Sequence, residues 1–253
     1  MEKNTSIDKA LSILDCFSER KYQLTLDEIV KETSIPKSSS FRIITSLENF
    51  GYIKKHKINN KTWYSLGYSF LEKGSIIRSN IDVREYAREY MKVLRNQLNL
   101  NVQLAVLDNQ EAIYIEQFQS WRQIRLYPAI GRRAPLYTAA CPRVLLAYMN
   151  STDRDWILQN TEFKSFTNST PLNIQVVNKK LNQIKTQGYS ISKGELIEET
   201  IAYAVPIYWP NSTEVIASLS VVGLEKDFDQ SESHLIKLLK ETSKEITDNL
   251  KNN

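Results

Sequence analysis

Five polar residues between positions 38 and 49 are spaced so that their side chains can contact a nucleic acid. At 100° per residue they share one helix face: Ser38, Arg42, Thr45, Ser46 and Asn49. Hydroxyl, amide and guanidinium groups bond base edges and phosphate oxygens. The opposite face is apolar and predicts packing against a core, through Ile43, Ile44, Leu47 and Phe50. Because any amphipathic surface helix shows two such faces, the flanking residues decide between DNA binding and simple packing.

Basic residues are concentrated around this helix. From position 36 to position 66 the chain has six lysines and arginines against one acid, Glu48, a local net charge of +5, whereas the whole chain carries +4. Phosphate contact requires such local charge, because each neutralised phosphate releases counterions. We therefore expect this segment to bind DNA. The expected contact residues are Thr25, Lys37, Ser38, Ser39, Ser40, Arg42, Thr45, Ser46, Asn49, Lys54, Lys55, Lys57 and Lys61.

The elements that would position these residues are two helices and a hairpin. Thr25 and Glu28 fit a capping box that starts a helix ending near Glu32. Pro36 suits the first position of the next helix, which Gly51 can close. Extended runs at 52–57 and 61–66, joined through two asparagines, predict a basic hairpin. With an earlier helix from Ser6 to Phe17, the pattern predicts a winged helix-turn-helix.

The remaining reactive residues do not form a catalytic or metal-binding set. Two cysteines and two histidines, far apart in sequence, predict neither a disulfide framework nor a metal site. Cys141, at a predicted helix start where the dipole can lower its pKa, is the best nucleophile, but no base accompanies it. We expect Glu195 and Glu198 in a solvated loop. No catalytic residue and no cofactor are therefore predicted; a redox role for Cys141 and, beyond it, a cysteine-dependent enzyme stay open as alternatives.

The rest of the chain predicts a second, α+β domain. A length of 253 residues suits two domains, and neither a secretory signal nor an apolar run of about 18 residues is visible, so we expect a cytoplasmic protein. After a linker helix, a helix capped by Asp82 precedes a three-stranded meander. The meander strands are expected at 102–107, 112–118 and 123–128. Helices at 142–149, 152–159 and 174–187, strands at 189–192, 201–209 and 214–222, and a final helix at 231–251 follow.

Four segments together resemble the IclR family of bacterial transcription regulators. They are Ile35 to Ile44, Ile130 to Ala139, Gly188-Tyr189, and Ser218 to Gly223. The resemblance implies a winged helix-turn-helix at 1–66, a linker helix at 67–81 and a GAF-like effector-binding domain at 82–253. It further implies dimers or tetramers on palindromic double-stranded DNA operators. We expect a repressor of a catabolic operon that responds to a small-molecule effector.

The resemblance also implies which residues line the effector pocket. Carried over position by position, they are Gln123, Leu126, Ala134, Ala140, Cys141, Ser192, Ala202, Ser220 and Val222, with Arg132 or Arg133 able to hold a carboxylate or sugar acid. Ser192, Ala202 and Val222 depart from the family's acid-binding pattern. Pro142 also departs from it and removes one N–H from a helix start suited to anions. A sugar acid or other organic acid is the expected effector class.

Overall fold

The chain divides into two compact units, residues 1–80 and residues 81–253. The structure, a computed structural model, describes residues 5–18, 20–79, 82–122 and 130–251. Within those ranges, no helix combines the length and the apolar character needed to cross a membrane.

Three helices of the first unit pack around an aliphatic centre. They are α1 (Ser6–Leu14), α2 (Leu26–Thr33) and α3 (Lys37–Asn49). Each contributes one isoleucine that is almost fully buried, Ile13, Ile29 and Ile44. Burial of such a side chain contributes about 1.5–3 kcal/mol. The predicted capping box is confirmed, because the N–H and the hydroxyl of Thr25 each lie 2.7 Å from Glu28 Oε2.

The predicted ends of α1 are wrong by a few residues. Thr5 caps the helix instead of Ser6, and its hydroxyl accepts a hydrogen bond of 3.1 Å from the N–H of Asp8. The aspartate completes a capping box that the apolar spacing alone did not reveal. The helix ends at Leu14, although Phe17 is still buried in the same core.

Phe50 does not belong to the packed face of α3. Its side chain is 74% exposed, whereas Ile44 is buried and Ile43 and Leu47 are partly buried. Phe50 is the C-cap, with ψ near 3°, so helical periodicity no longer fixes its direction. At the other end, Pro36 is the N-cap instead of the first helical residue.

The predicted hairpin is present as β1 (Ile53–Ile58) and β2 (Lys61–Leu66), paired antiparallel. Asn59 and Asn60 both have positive φ, 50° and 59°, which is the requirement of a type I′ turn. Tyr64 of β2 exchanges two backbone hydrogen bonds with Leu24, of 2.8 and 2.9 Å. These bonds attach the hairpin to the segment that precedes α2.

The predicted linker segment forms helix α4 (Ser69–Ser79). Phe70 packs edge-to-face on Tyr52 with ring centroids 5.1 Å apart. Leu71, Ile76 and Ile77 are each more than half exposed. The helix therefore presents apolar side chains to solvent within the first unit.

The described strands of the second unit form one antiparallel sheet in the order β5-β4-β3-β8-β7-β6. Their bounds are β3 (Asn101–Asp108), β4 (Glu111–Phe118), β5 (Arg133–Pro135), β6 (Ser190–Lys193), β7 (Thr200–Tyr208) and β8 (Val215–Leu224). The helices are α5 (Asp82–Leu98), α6 (Ala140–Tyr148), α7 (Ser151–Asn160), α8 (Ile174–Gln187) and α9 (Glu232–Leu250). This architecture confirms the α+β prediction.

Each face of the sheet carries its own hydrophobic core. Residues of α5 and α9 pack on one face together with alternate residues of β7, such as Tyr203 and Val205. Residues of α6, α7 and α8 pack on the other face together with Ala204. Successive side chains of a strand point to opposite faces, which explains why residues 203 and 204 belong to different cores.

Most predicted elements of this unit are confirmed within one or two residues. The third meander strand, expected at 123–128, lies outside the described residues. The short edge strand β5 was not predicted, since three residues ending in proline give no alternating pattern.

Candidate nucleic-acid interface and ligand cavity

The polar face of α3 is accessible to a ligand. Ser38, Arg42, Ser46 and Asn49 are exposed on the side opposite Ile44. Arg42 forms no ion pair with any residue that the structure describes, which leaves its five N–H donors available. Since α3 is a regular 13-residue helix, this face is long enough to follow a DNA groove.

Two predicted contact residues are corrected, because their side chains are structural. Ser40 is fully buried and its hydroxyl donates a hydrogen bond of 3.2 Å to the carbonyl of Ile35. It lies four residues before Ile44 and therefore shares the packed face. Thr25 is also buried, and its hydroxyl is engaged in the capping box with Glu28. Both residues shape the helix-turn-helix, and neither side chain is exposed on its surface.

Two further predicted contacts on the helix are less available than their neighbours. Ser39 is only partly exposed and lines a groove between α1 and α3. The hydroxyl of Thr45 donates to the carbonyl of Phe41 at 2.9 Å, so its remaining capacity is as an acceptor.

The basic side chains around α3 differ in how freely they can contact phosphate. Lys37 pairs with Asp27 at 2.6 Å on the surface, an interaction worth about 1 kcal/mol or less. Lys54 lies 3.2 Å from the ring centroid of Tyr68, and Lys61 lies 5.0 Å from that of Trp63. Lys55 and Lys57 are exposed on one face of β1, with no ion pair to a described residue.

The second unit contains a cavity between the sheet and the start of α6. Seven predicted pocket residues line it: Arg132, Ala140, Cys141, Ser192, Ala202, Ser220 and Val222. Its volume is about 60 Å³. The strand register explains their convergence, since Ser192 faces Ala202 and Ala202 faces Val222 on neighbouring strands.

Ala134, another predicted pocket residue, is not among the residues that line the cavity. Ala134 is buried opposite Ala112 of β4 and packs in the core beside α6. Gln123 and Leu126 lie outside the described residues. Arg133 does not line the cavity and pairs instead with Asp108 and Glu111.

Six lining residues were missed by the sequence reasoning: Gln103, Tyr114, Ala139, Leu196, Ile197 and Thr200. For Gln103 a signal existed. It is a polar residue between Val102 and Leu104 in an otherwise apolar strand, and it pairs with Ser220. For the others, no periodicity distinguishes cavity walls from ordinary core.

The cavity wall combines one cation with neutral hydrogen-bonding groups. Among its described lining residues, Arg132 is the one charged side chain. Burial raises the pKa of the Tyr114 hydroxyl, which keeps it neutral. The first N–H groups of α6, at Ala140 and Cys141, have no intrahelical partners, and Pro142 has no N–H to add. Such a wall offers a cation and hydrogen-bonding groups that match the chemistry of a carboxylate and of hydroxyls.

Cys141 does not have the reactivity that its place near a helix start suggested. Its thiol is buried and donates to the carbonyl of Ser218 at 3.1 Å. Burial raises the pKa of this thiol to about 11, the opposite of the expected helix-dipole effect. The thiolate needed for nucleophilic or redox chemistry is therefore suppressed. In the described part of the chain, no three His, Cys, Asp or Glu residues are grouped to hold a metal ion.

Glu195 is buried instead of lying in a solvated loop. Its carboxylate pairs with Arg143 of α6 and, at 3.2 Å, with Lys180 of α8. It also accepts a hydrogen bond of 3.0 Å from the N–H of Ala139, a residue with φ 58° at the cavity wall. The hydroxyl of Thr170 donates a hydrogen bond of 2.7 Å to the backbone carbonyl of Glu195. The polar composition of the loop concealed this network.

Known proteins match both units. A model of the IclR helix-turn-helix domain matches residues 6–57, and one described as bacterial transcriptional regulator IclR C-terminal matches residues 77–248. The HTH-type transcriptional regulator KipR of Bacillus subtilis (strain 168) is 33% identical over 228 residues, covering 90% of this chain and 89% of the relative. The HTH-type transcriptional regulator XynR of Escherichia coli (strain K12) is 30% identical, covering 90% and 89%.

A crystal structure of an IclR homolog complexed with 4-hydroxybenzoate, from Microbacterium hydrocarbonoxydans, superposes with a TM-score of 0.82. It is 19% identical and covers 98% of this chain and 100% of its own, so it shows the shared fold. The matched relatives are transcription regulators and not enzymes. With both family models matched in order along one chain, this protein belongs to the IclR family of bacterial transcription regulators.

Proposed function

We propose that this regulator binds a palindromic operator as a homo-oligomer, with α3 in the major groove and the β1–β2 hairpin on the phosphate backbone. Residues 1–66 would form the DNA-binding domain, residues 67–81 the linker and residues 82–253 the effector domain. The observation that carries the proposal is the exposed polar face of α3, on which Arg42 has no ion pair with a described residue, together with the exposed lysines of the hairpin. The excess of positive charge between positions 36 and 66 supports it.

Selection from a random duplex library tests the palindrome. We expect enrichment of an inverted repeat whose half-sites lie about 10 bp apart or at a multiple of that spacing, since paired recognition helices enter successive major grooves. Enrichment of a single asymmetric site, or of no site, would contradict the proposal.

The exposed apolar side chains of α4 support oligomerisation. Leu71, Ile76 and Ile77 are more than half exposed, and contiguous apolar surface of this kind marks interaction sites. Replacing Leu71 and Ile77 with glutamine should reduce the mass measured by sedimentation. Replacing the exposed polar residues Glu72 and Lys73 of the same helix with glutamine is the matched control and should leave the mass unchanged.

We further propose that the cavity beside α6 binds a small organic acid, including sugar acids. Arg132 would pair with the carboxylate, while Gln103, Ser192 and Ser220 would contact hydroxyl groups. Effector binding would alter the spacing of the DNA-binding domains. A coupling free energy of about 1–3 kcal/mol between effector binding and DNA binding is enough to change operator occupancy severalfold or more.

A thermal-shift screen of the full chain against sugar acids, aromatic acids, alcohols and polyols tests this proposal, because a bound ligand stabilises the native state. Arg132→Gln should abolish the shift given by an acid. Arg133→Gln is the matched control, since the neighbouring arginine pairs with Asp108 outside the cavity. Equal loss of the shift in both variants would contradict the assignment of Arg132.

We also propose that the protein represses a catabolic operon and releases it when the effector binds. A reporter placed behind the selected operator should be silenced by the protein and restored by the acid found in the screen. Increased transcription on adding the protein alone would instead identify an activator.

A further inference from the structure

A second cavity in residues 81–253 lies between α8 and β6. This α8–β6 cleft has a volume of about 460 Å³, and its walls include Arg143, Lys180, Gln183, Ser190 and Lys193. Pockets for drug-sized ligands occupy about 300–1,000 Å³, a range that includes this cleft. The cavity beside α6, which we call the effector cavity, shares none of its described lining residues with this cleft.

The charged residues of the cleft are predominantly positive. Three cations, Arg143, Lys180 and Lys193, accompany one carboxylate, Glu195, which gives a net charge of +2. Both oxygens of Glu195 are already engaged, one by Arg143 and the other by Lys180. Lys193 is exposed and pairs with no carboxylate in the described part of the chain. A concave surface with one sign of charge attracts ligands of the opposite sign.

Two residues that line the cleft carry buried polar atoms that lack partners. Ser190 Oγ and Arg143 Nε are fully buried, and neither has a hydrogen-bond partner among the described residues. Such groups are rare in folded proteins and call for an explanation. The Nε–H of an arginine is a donor only, so its missing partner is an acceptor. A ligand oxygen that reached these atoms would supply that acceptor and would accept from the serine hydroxyl as well.

We propose that the α8–β6 cleft binds a small dianion of phosphate chemistry, at a site separate from the effector cavity. Two charges on the ligand match the net +2 of the walls. Lys180 and Lys193 would contact some of its oxygens, and another oxygen would approach Ser190 and Arg143. Sugar hydroxyls alone would leave the positive charge uncompensated.

Inorganic phosphate and the full-length protein provide the test, by titration calorimetry at ionic strength held constant with sodium chloride. The double variant Lys180→Gln with Lys193→Gln should raise the apparent Kd by about tenfold or more, since charge-assisted hydrogen bonds are lost. The matched control is Lys179→Gln with Lys185→Gln, which removes the same charge from exposed positions of α8 outside the cleft. It should bind phosphate as the unaltered protein does.

Two further variants distinguish loss of phosphate binding from loss of folding, and binding in this cleft from binding in the effector cavity. Lys193→Gln keeps the Lys180–Glu195 ion pair intact, so a weakened affinity in this variant reports on binding and not on folding. Arg132→Gln should leave phosphate binding unchanged, because Arg132 belongs to the effector cavity. Absence of binding to the unaltered protein, equal weakening in the control pair, or loss in Arg132→Gln would each overturn the proposal.

Discussion

Replacing Glu195 with alanine should destabilise residues 81–253 by several kcal/mol. The carboxylate is 2% exposed and is the ionic partner of Arg143, whose side chain is 1% exposed. Removing one member of a buried pair leaves the other charge uncompensated, at a cost of about 3–5 kcal/mol. Loss of the bonds to Lys180 and the N–H of Ala139 adds to this effect. That is a large fraction of the about 5–15 kcal/mol that stabilises a typical domain.

Urea denaturation followed by tryptophan fluorescence measures this loss. Three of the four tryptophans, Trp121, Trp156 and Trp209, lie in residues 81–253, so the signal reports mainly on this unit. With a slope of about 2 kcal/mol per M, the midpoint should fall by about 1.5–2.5 M urea. Glu198→Ala, an exposed carboxylate of the same loop, is the control and should change stability by about 0.5 kcal/mol or less. A change below about 1 kcal/mol in Glu195→Ala would refute the buried-pair interpretation.

Three other predictions concern the hairpin, the thiol and a tight backbone contact. Lys55→Ala with Lys57→Ala should weaken binding to all duplexes and reduce the salt slope of log K by about 2; a loss limited to one sequence would contradict a phosphate role. In a protein carrying Cys16→Ser, Cys141 should resist a thiol reagent at pH 8 until the chain unfolds, because a pKa of about 11 leaves only about one thiol in a thousand ionised; rapid labelling of the folded protein would contradict this. Gly67→Ala should destabilise the first unit, because a Cβ there would lie 1.9 Å from the carbonyl oxygen of the glycine at position 51. An unchanged unfolding midpoint would contradict this, because it would mean that the two backbone segments can move apart without cost.

Local signals predicted the winged helix-turn-helix well. The Thr25–Glu28 box, the two asparagines of the hairpin and the basic residues all act within a few positions of one another, where short-range rules apply. Errors arose where a residue's role depends on its packing. Ser40 has the chemistry of a DNA contact, but it occupies the packed face of α3. Phe50 has the chemistry of a core residue, but the helix ends before it.

The cavity was predictable only in part, for a related reason. Family resemblance located seven of its wall residues, while Gln103 enters through strand register, which pairs it with Ser220 more than a hundred residues away. The pKa of Cys141 follows from burial, and burial is a property of the folded sheet and helix together. The Glu195 network was concealed because its partners Arg143 and Lys180 come from two different helices.

The role of α3 as the DNA-recognition helix depends most directly on Arg42. Fluorescence anisotropy on the palindrome selected with the unaltered protein, and on a scrambled duplex, measures specific and non-specific affinity side by side. Arg42→Ala should lose about 1–3 kcal/mol of specific affinity per site, a factor of about 5 to 150, while binding to the scrambled duplex changes little. Arg20→Ala, an exposed arginine of the first unit outside α3, should leave both affinities unchanged. If Arg42→Ala bound the palindrome as tightly as Arg20→Ala does, α3 would not be the recognition helix.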